Sequence, residues 1–202
     1  MSKKGIFLTV LSALFYGFTP IVSFYSYMLG NNPFTVTYFR SFFVLPVLGI
    51  IMLVKKIDFK LELHQIKNII ITGIFGTVLT TLLLSTSYNY IGVGTATTLH
   101  YLYPVFVMVF SKLFFKDKIS KKQYLTLALS VIGISFFLEF QDITKVKGII
   151  MAVLSAVTFA FYIVYIDKSG LAKMNGFKLS FYLSLVLIVI LTTTNLFTHQ
   201  LI

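Results

Sequence analysis

Cysteine is absent from this 202-residue chain, and charged residues are scarce, at 11% of the total. Without cysteine there is no disulfide, no thiolate metal ligand and no cysteine nucleophile. A soluble domain carries about 25% charged residues, so this chain has too few charges to cover the surface of a water-soluble globule. With 57% hydrophobic residues and a mean hydropathy of +0.92, the sequence predicts a protein embedded in a lipid bilayer.

The charges that are present are strongly biased towards lysine. The chain has 17 Lys+Arg against 6 Asp+Glu, which gives a net charge of +11. In a soluble protein such a balance would indicate binding to nucleic acid. Here the lysines stand in short clusters between long apolar runs, which is typical of membrane loops. We therefore predict no nucleic-acid partner and assign the basic clusters to loops that set the topology.

The uncharged runs are long enough for membrane-spanning helices, which need about 20 apolar residues each. Runs 5–39 and 68–111 each exceed one span, and turn-forming residues at 29–33 and 89–94 divide them. The first run is also too long for a signal peptide. The sequence predicts an all-α, polytopic membrane helix bundle of about seven transmembrane spans, with a loop at 141–147. The spans lie near 5–28 and 33–54, twice within 68–111, and near 121–139, 148–166 and 178–198.

The distribution of lysines predicts the orientation. If Lys3 and Lys4 are cytoplasmic, 14 lysines fall on the cytoplasmic side, and only Lys145 and Lys147 fall outside. By the positive-inside rule, we expect a multi-pass protein of the cytoplasmic (inner) membrane with its amino terminus in the cytoplasm. Seven spans would then place the carboxyl terminus outside.

An internal repeat relates the two ends of the chain. Residues 5–18 and 148–161 are identical at seven of 14 positions, and the same offset of 143 pairs Asn32 with Asn175 and Ser41 with Ser184. Because five spans separate the copies, the second enters the membrane in the opposite direction, as in the inverted repeats of secondary transporters. Chance similarity between apolar segments is the alternative. We predict a complete five-span repeat at 1–139 and a partial, two-span repeat at 148–202.

The second copy is shorter than the first. Residue 202 corresponds to position 59 of the first copy, just after its second span. Three expectations follow: the sequence is a fragment, it has lost three spans, or a partner supplies them as a homodimer or a complementing chain.

Several motifs, in this order, resemble the EamA domain of the drug/metabolite transporter superfamily. They are Pro-Phe-Thr-Val-Thr-Tyr-Phe-Arg at 33–40, the run from Gly94 to Pro104, Phe-Phe-Lys-Asp at 114–117, and Leu-Ser-Val-Ile-Gly at 129–133. Members of that family usually have two five-helix repeats, ten spans in all. The resemblance implies export or exchange of small metabolites, amino acids or drugs. Leu183 stands where a second copy of Arg40 would be, so the arginine is not duplicated.

Two polar side chains inside spans are candidates for contact with a solute. Arg40 lies about 10 Å into its span, and a charge in the membrane usually faces protein or a cavity. It could grip a carboxylate or phosphate, or bond loop carbonyls in a structural role. His100 could accept a proton or bind a substrate, or simply make a contact between helices.

Two helical stripes are the predicted lining of a substrate cavity. Each surrounds a proline that we expect to kink its span and to act as a gating point. Packing geometry, or polar bonding between helices, is the alternative explanation. The first stripe is Tyr16, Thr19, Pro20 and Ser23, and the second is Thr97, Tyr101 and Pro104. Gly73, Gly76 and Thr77 are predicted to allow close helix packing.

No set of residues indicates an enzyme. The chain has no phosphate-cradling glycine loop, no pair of carboxylates within a span and only three scattered histidines, so we predict no metal site and no cofactor. We predict a secondary transporter that exports or exchanges a small organic solute across the bilayer by alternating access. A truncated, inactive or partner-dependent membrane protein is the alternative.

Overall fold

The computed structural model describes residues 3–116, 120–136 and 143–199, and within these ranges every regular element is helical. A π-helical segment, Thr72–Val78, joins α3 to α4, and a short 3-10 turn, Leu171–Lys173, precedes the last helix. The α-helices are α1 Lys3–Met28, α2 Pro33–Val54, α3 Leu63–Ile71, α4 Leu79–His100, α5 Tyr103–Phe115, α6 Lys121–Ser135, α7 Ile143–Lys168 and α8 Gly176–Thr198. The predicted all-helical membrane bundle is confirmed.

Five helical segments are long and apolar enough to cross a membrane, and one of them is long enough to do so twice. These segments are Gly5–Met28, Pro33–Val54, Leu63–His100, Lys145–Lys168 and Gly176–Phe197. The third has 38 residues, about 57 Å of helix against a hydrocarbon core of about 30 Å. Gly92 interrupts it with φ 72° and ψ 164°, a conformation essentially restricted to glycine. The predicted break at 89–94 is therefore a single residue.

Contacts with α7 show that the chain reverses at Gly92. A Cβ added to Gly148, near the start of α7, would come within 2.6 Å of Tyr90, next to the break. At the other end of α7, the Asn68 side-chain amide donates to the Ser169 carbonyl. The ammonium of Lys168, the last residue of α7, lies 5.0 Å from the Phe115 ring centroid. Residues 63–91 and 93–115 thus run in opposite directions beside the same helix, as a hairpin.

Most boundaries agree with the predicted spans, with one clear error. The first turn ends at Asn32, whose side chain accepts a hydrogen bond of 2.7 Å from the Thr35 amide and so caps α2. The loop predicted at 141–147 is wrong from residue 143 onwards, because α7 already begins at Ile143. The prediction ended the span at its lysines, whereas the helix continues past the apolar segment and Lys147 lies over the Tyr90 ring. Residues 137–139 of the predicted fifth span, and Asp117 of the third motif, lie outside the described residues.

The helices pack across the two predicted repeats rather than within them. The most extensive contacts join α7 to α4 and α8 to α2. Two glycines of the π-helical segment allow this packing: an added Cβ would come within 2.5 Å of Val186 at Gly73 and within 2.6 Å of Tyr162 at Gly76. The predicted close packing at these two glycines is confirmed. By contrast, α1 lies at the edge of the bundle with most of its apolar side chains exposed.

One end of the bundle, which we call the basic end, holds most of the lysines. It contains the end of α2, the start of α3, the ends of α5 and α7 and the start of α8. There the α2–α3 loop is fastened to α8 by contacts that we call the clasp. Tyr182 donates to the Phe59 carbonyl and Lys178 to the Lys60 carbonyl, and the rings of Phe59 and Phe181 lie 5.7 Å apart.

Candidate functional site

A cavity of about 600 Å³ lies between α1, α2, the π-helical segment with α4, α7 and α8. Its lining combines hydroxyl groups, aromatic rings and one arginine, and none of the described lining residues is acidic. The lining residues are Tyr16, Thr19, Pro20, Ser23, Arg40, Ser41, Val44, Gly76, Thr77, Thr80, Thr81, Leu84, Ser85, Tyr88, His100, Phe159, Tyr162, Ser180, Leu183, Ser184 and Leu187.

All four residues of the first predicted stripe line this cavity. The Thr19 hydroxyl donates to the Phe15 carbonyl at 2.9 Å, and the Ser23 hydroxyl donates to the Thr19 carbonyl at 3.0 Å. Pro20 lies inside α1 and has no N–H to donate to the carbonyl four residues earlier, that of Tyr16. This face of α1 therefore presents hydroxyls and one carbonyl without its usual helical partner.

Arg40 is the only arginine of the sequence, and its exposed side chain lines the cavity. It stands eight residues into α2, about 10 Å from the helix start. Among the described residues, no acceptor forms a hydrogen bond or ion pair with its guanidinium. A bare guanidinium in a membrane-embedded cavity is a strong attractor for an anion, which it can hold through two parallel bonds.

His100 reaches the same cavity from the second leg of the hairpin and is almost fully buried, with 2% exposure. Its Nδ1 lies 2.9 Å from the Ser155 hydroxyl on α7. The rings of Phe159 and Tyr103 pack against it, with centroids at 5.1 and 5.9 Å. His100 therefore makes the interhelical contact that sequence reasoning gave as an alternative, and it also lines the cavity.

The second predicted stripe does not line the cavity. Thr97 donates within its own helix, to the carbonyls of Val93 and Gly94, and Tyr101 is 51% exposed. Successive helical residues are about 100° apart around the helix axis. The Thr97 side chain therefore points roughly 60° away from that of His100, and the Tyr101 side chain roughly 100° away. Pro104 is also not in a helix interior, because α4 ends at His100 and Pro104 lies in the first turn of α5, where a missing N–H costs nothing.

Sequence reasoning assigned Gly76 and Thr77 to helix packing alone, and it missed the cavity wall that the π-helical segment and α4 contribute. Most of its polar lining residues are three or four positions apart, which is the spacing of one helical face. That periodicity could have revealed them. The Thr77 hydroxyl is buried without a hydrogen-bond partner among the described residues, as polar groups at binding sites often are. The members of this stripe are Thr77, Thr80, Thr81, Ser85 and Tyr88.

The offset of 143 residues also relates the walls of the cavity to one another. Five lining residues of α1 and α2 have a lining residue 143 positions later, in α7 and α8. The pairs are Tyr16 with Phe159, Thr19 with Tyr162, Arg40 with Leu183, Ser41 with Ser184, and Val44 with Leu187. Applied to the first stripe, this offset would have identified Phe159 and Tyr162 from the sequence.

Comparison with known proteins agrees with this architecture. The profile of the EamA-like transporter family matches residues 3–138, about two thirds of the chain. The chain belongs to the EamA-like transporter family. A protein of Archaeoglobus fulgidus described as an uncharacterized transporter is 28% identical to it over 131 residues. That match covers 65% of this chain and 45% of the relative, so the chain spans less than half of the relative's length.

Membership of the EamA-like transporter family defines the class of the protein. It is a multi-pass membrane protein of a transporter family. Within the described ranges, no group of three or more His, Asp or Glu side chains could hold a metal ion. The chemistry of the cavity is therefore that of hydroxyls, aromatic rings, one imidazole and one guanidinium.

Proposed function

We propose that this EamA-family chain carries a small organic anion across the cytoplasmic membrane by alternating access. The observation behind this proposal is the single guanidinium of Arg40 in a cavity with no acidic group among its described lining residues. Binding sites for small molecules typically enclose about 300–1,000 Å³, so a cavity of about 600 Å³ suits a solute of metabolite size.

Electrostatics favours an anion over a neutral or cationic solute. A charge within the hydrocarbon region is costly unless it is paired or hydrated, and Arg40 has no hydrogen-bond or ion-pair partner among the described residues. A carboxylate or phosphate would neutralise it and accept two parallel hydrogen bonds. The hydroxyls around it supply neutral donors and acceptors for the rest of the solute.

The paired walls support alternating access. Elements related by an inverted repeat exchange roles when a transporter switches between inward-open and outward-open states. In our proposal, 1–139 and 148–202 are the two repeats, and the lining pairs at the offset of 143 are the equivalent positions. The clasp at the basic end closes one side of the cavity and opens during the cycle.

The proposed orientation places the basic end in the cytoplasm. It carries lysines from five segments, whereas Lys145 and Lys147 lie at the opposite end of the bundle, which satisfies the positive-inside rule. Single cysteines can test this, because the native chain has none. A membrane-impermeant maleimide added to intact cells should label Lys145→Cys and not Lys173→Cys; the reverse pattern would contradict the orientation.

Solute counterflow in proteoliposomes tests the transport proposal. Vesicles preloaded with unlabelled succinate should accumulate labelled succinate faster than empty vesicles. Loss of a charge-assisted contact worth about 1.5–3 kcal/mol should lower this uptake at least tenfold in Arg40→Ala. Lys147→Ala, which removes a charge outside the cavity, is the matched control. Normal membrane insertion of Arg40→Ala with unchanged uptake would exclude the proposed role of Arg40.

A partner-dependent transporter is the second candidate. The observation that favours it is the exposure of cavity-lining residues on the α1 side, where Tyr16 is 53% exposed and Arg40 is also exposed. Polar lining groups open to lipid are unfavourable, so further helices of a longer product or of another chain would complete this wall. This candidate predicts no counterflow by the chain alone, and counterflow once the carboxyl-terminal half of a relative is co-expressed.

A further inference from the structure

The hydrogen bond that holds His100 has only one consistent direction. His100 Nδ1 lies 2.9 Å from the Ser155 hydroxyl, and that hydroxyl lies 2.6 Å from the Ala152 carbonyl. A serine hydroxyl has one proton. The Ala152 carbonyl can only accept, so the hydroxyl donates its proton there and accepts from His100. Nδ1 must therefore carry a hydrogen.

This arrangement fixes the chemistry of the other ring nitrogen. A neutral imidazole with its proton on Nδ1 has a lone pair on Nε2 and acts there as an acceptor. Both His100, at 2% exposure, and Ser155, at 0%, are buried in the interface between the hairpin and α7. Water is therefore poorly placed to replace the Ser155 contact, and the tautomer is held by the protein.

Nε2, the ring nitrogen that does not bond Ser155, is the one available to a solute in the cavity. Ser155 is not among the lining residues, whereas His100 is, so the ring turns Nδ1 away from the cavity. No described residue bonds Nε2. The rings of Phe159 and Tyr103 restrict rotation of the imidazole, as expected for a side chain with one working orientation.

We propose that His100 Nε2 is a specificity-determining acceptor, set by Ser155 as a positioning residue, which selects organic anions that also carry a hydroxyl group. This inference rests on the proposed function, in which Arg40 binds the anionic group. A neutral hydroxyl fits better than an ammonium donor, because the described lining residues include no carboxylate to balance a second positive charge beside Arg40. The solute class is therefore that of hydroxy acids rather than simple carboxylates.

Nitrogen NMR of histidine tests the tautomer directly. In a His64→Gln/His199→Gln background, His100 is the only histidine left. In nanodiscs, ¹⁵N-histidine labelling should show a protonated Nδ1 and an unprotonated Nε2. Ser155→Ala should move the proton to Nε2, whereas Thr193→Val, which removes a hydroxyl that donates to carbonyls of its own helix, should not. A protonated Nε2 in the parent protein would overturn the inference.

Matched pairs of anions test the selectivity. Malate and succinate, and lactate and propionate, differ by one hydroxyl. Competition against labelled succinate should favour the hydroxylated member about three- to tenfold, the effect of one hydrogen bond. His100→Asn has an amide that can still donate to Ser155, but its shorter side chain places no acceptor where Nε2 lies. It should reduce that ratio to about one, while Thr193→Val retains it. Equal binding of both members by the parent protein would overturn the inference. If neither member of a pair binds, the proposed function itself is wrong.

Discussion

Leu183 occupies the position related to Arg40 by the 143-residue offset, and it lines the same cavity from α8. If the cavity requires one positive charge, whichever helix carries it, the arginine can be moved from position 40 on α2 to position 183 on α8. We expect Arg40→Leu to abolish succinate counterflow and Arg40→Leu/Leu183→Arg to restore part of it, to at least a tenth of the parent rate. Leu183→Arg alone places two like charges together and should be inactive.

The same assay supplies the control. Leu187→Arg combined with Arg40→Leu puts the charge one helical turn further along α8, at a position that also lines the cavity but corresponds to Val44. Equal recovery in this variant would show that the cavity tolerates the charge anywhere, and that the repeat-related position has no special role.

Five of the seven polar or charged side chains predicted to contact solute line one cavity: Tyr16, Thr19, Ser23, Arg40 and His100. Helical spacing and the rarity of charge in an apolar run were enough to find them. Thr97 and Tyr101 were misplaced because spacing alone does not say which face of a helix meets its neighbour. Contacts with α7 set the rotation of that segment, among them the bond from His100 to Ser155, 55 residues away in sequence.

At the scale of single elements, Gly92 is the residue on which the hairpin depends. Its φ of 72° with ψ of 164° lies in a region that costs a residue with a side chain about 1–3 kcal/mol. Gly92→Ala should therefore lower the thermal midpoint of the purified protein by several degrees. Gly94→Ala is the matched control, since neither glycine has any atom near an added Cβ and only Gly92 has a positive φ.

A drop of the same size in both variants would argue against this explanation. It would mean that the methyl group itself disturbs packing, and that the backbone conformation at the hairpin tip is not the cause.

The π-helical segment Thr72–Val78 shows where prediction of elements from sequence ends. The lengths of the uncharged apolar runs indicated every long helix, and turn residues at 29–33 and 89–94 indicated the two breaks, of which the second is at Gly92. A π-helix has the same composition as an α-helix and differs only in its hydrogen-bond register. The register here places Gly73 against α8 and Gly76 against α7, so it depends on partners that lie about 85 to 115 residues away in sequence.

For the whole molecule, the alternating access that we propose requires the clasp to open. Phe59 and Phe181 lie at its centre, and the cysteine-free sequence makes paired thiols unambiguous. We expect Phe59→Cys/Phe181→Cys to cross-link with a short bifunctional maleimide and to lose counterflow on cross-linking. Each single cysteine variant, treated in the same way, should keep its activity. Full counterflow in the cross-linked protein would show that this end of the bundle stays closed throughout the cycle.

The pattern of helix packing also bears on how the chain assembles. α7 and α8 follow one another in sequence, yet each packs chiefly on helices of residues 3–115, α7 on α4 and α5 and α8 on α2. The segment from 143 onwards therefore buries much of its apolar surface against the first part of the chain, and even the cluster around its own Leu171 and Leu183 includes Ile69. We therefore expect the two segments to depend on each other for folding, as the subunits of an obligate heterodimer do. Separate polypeptides divided within 137–142 should co-purify when expressed together, and the shorter one should be degraded when expressed alone.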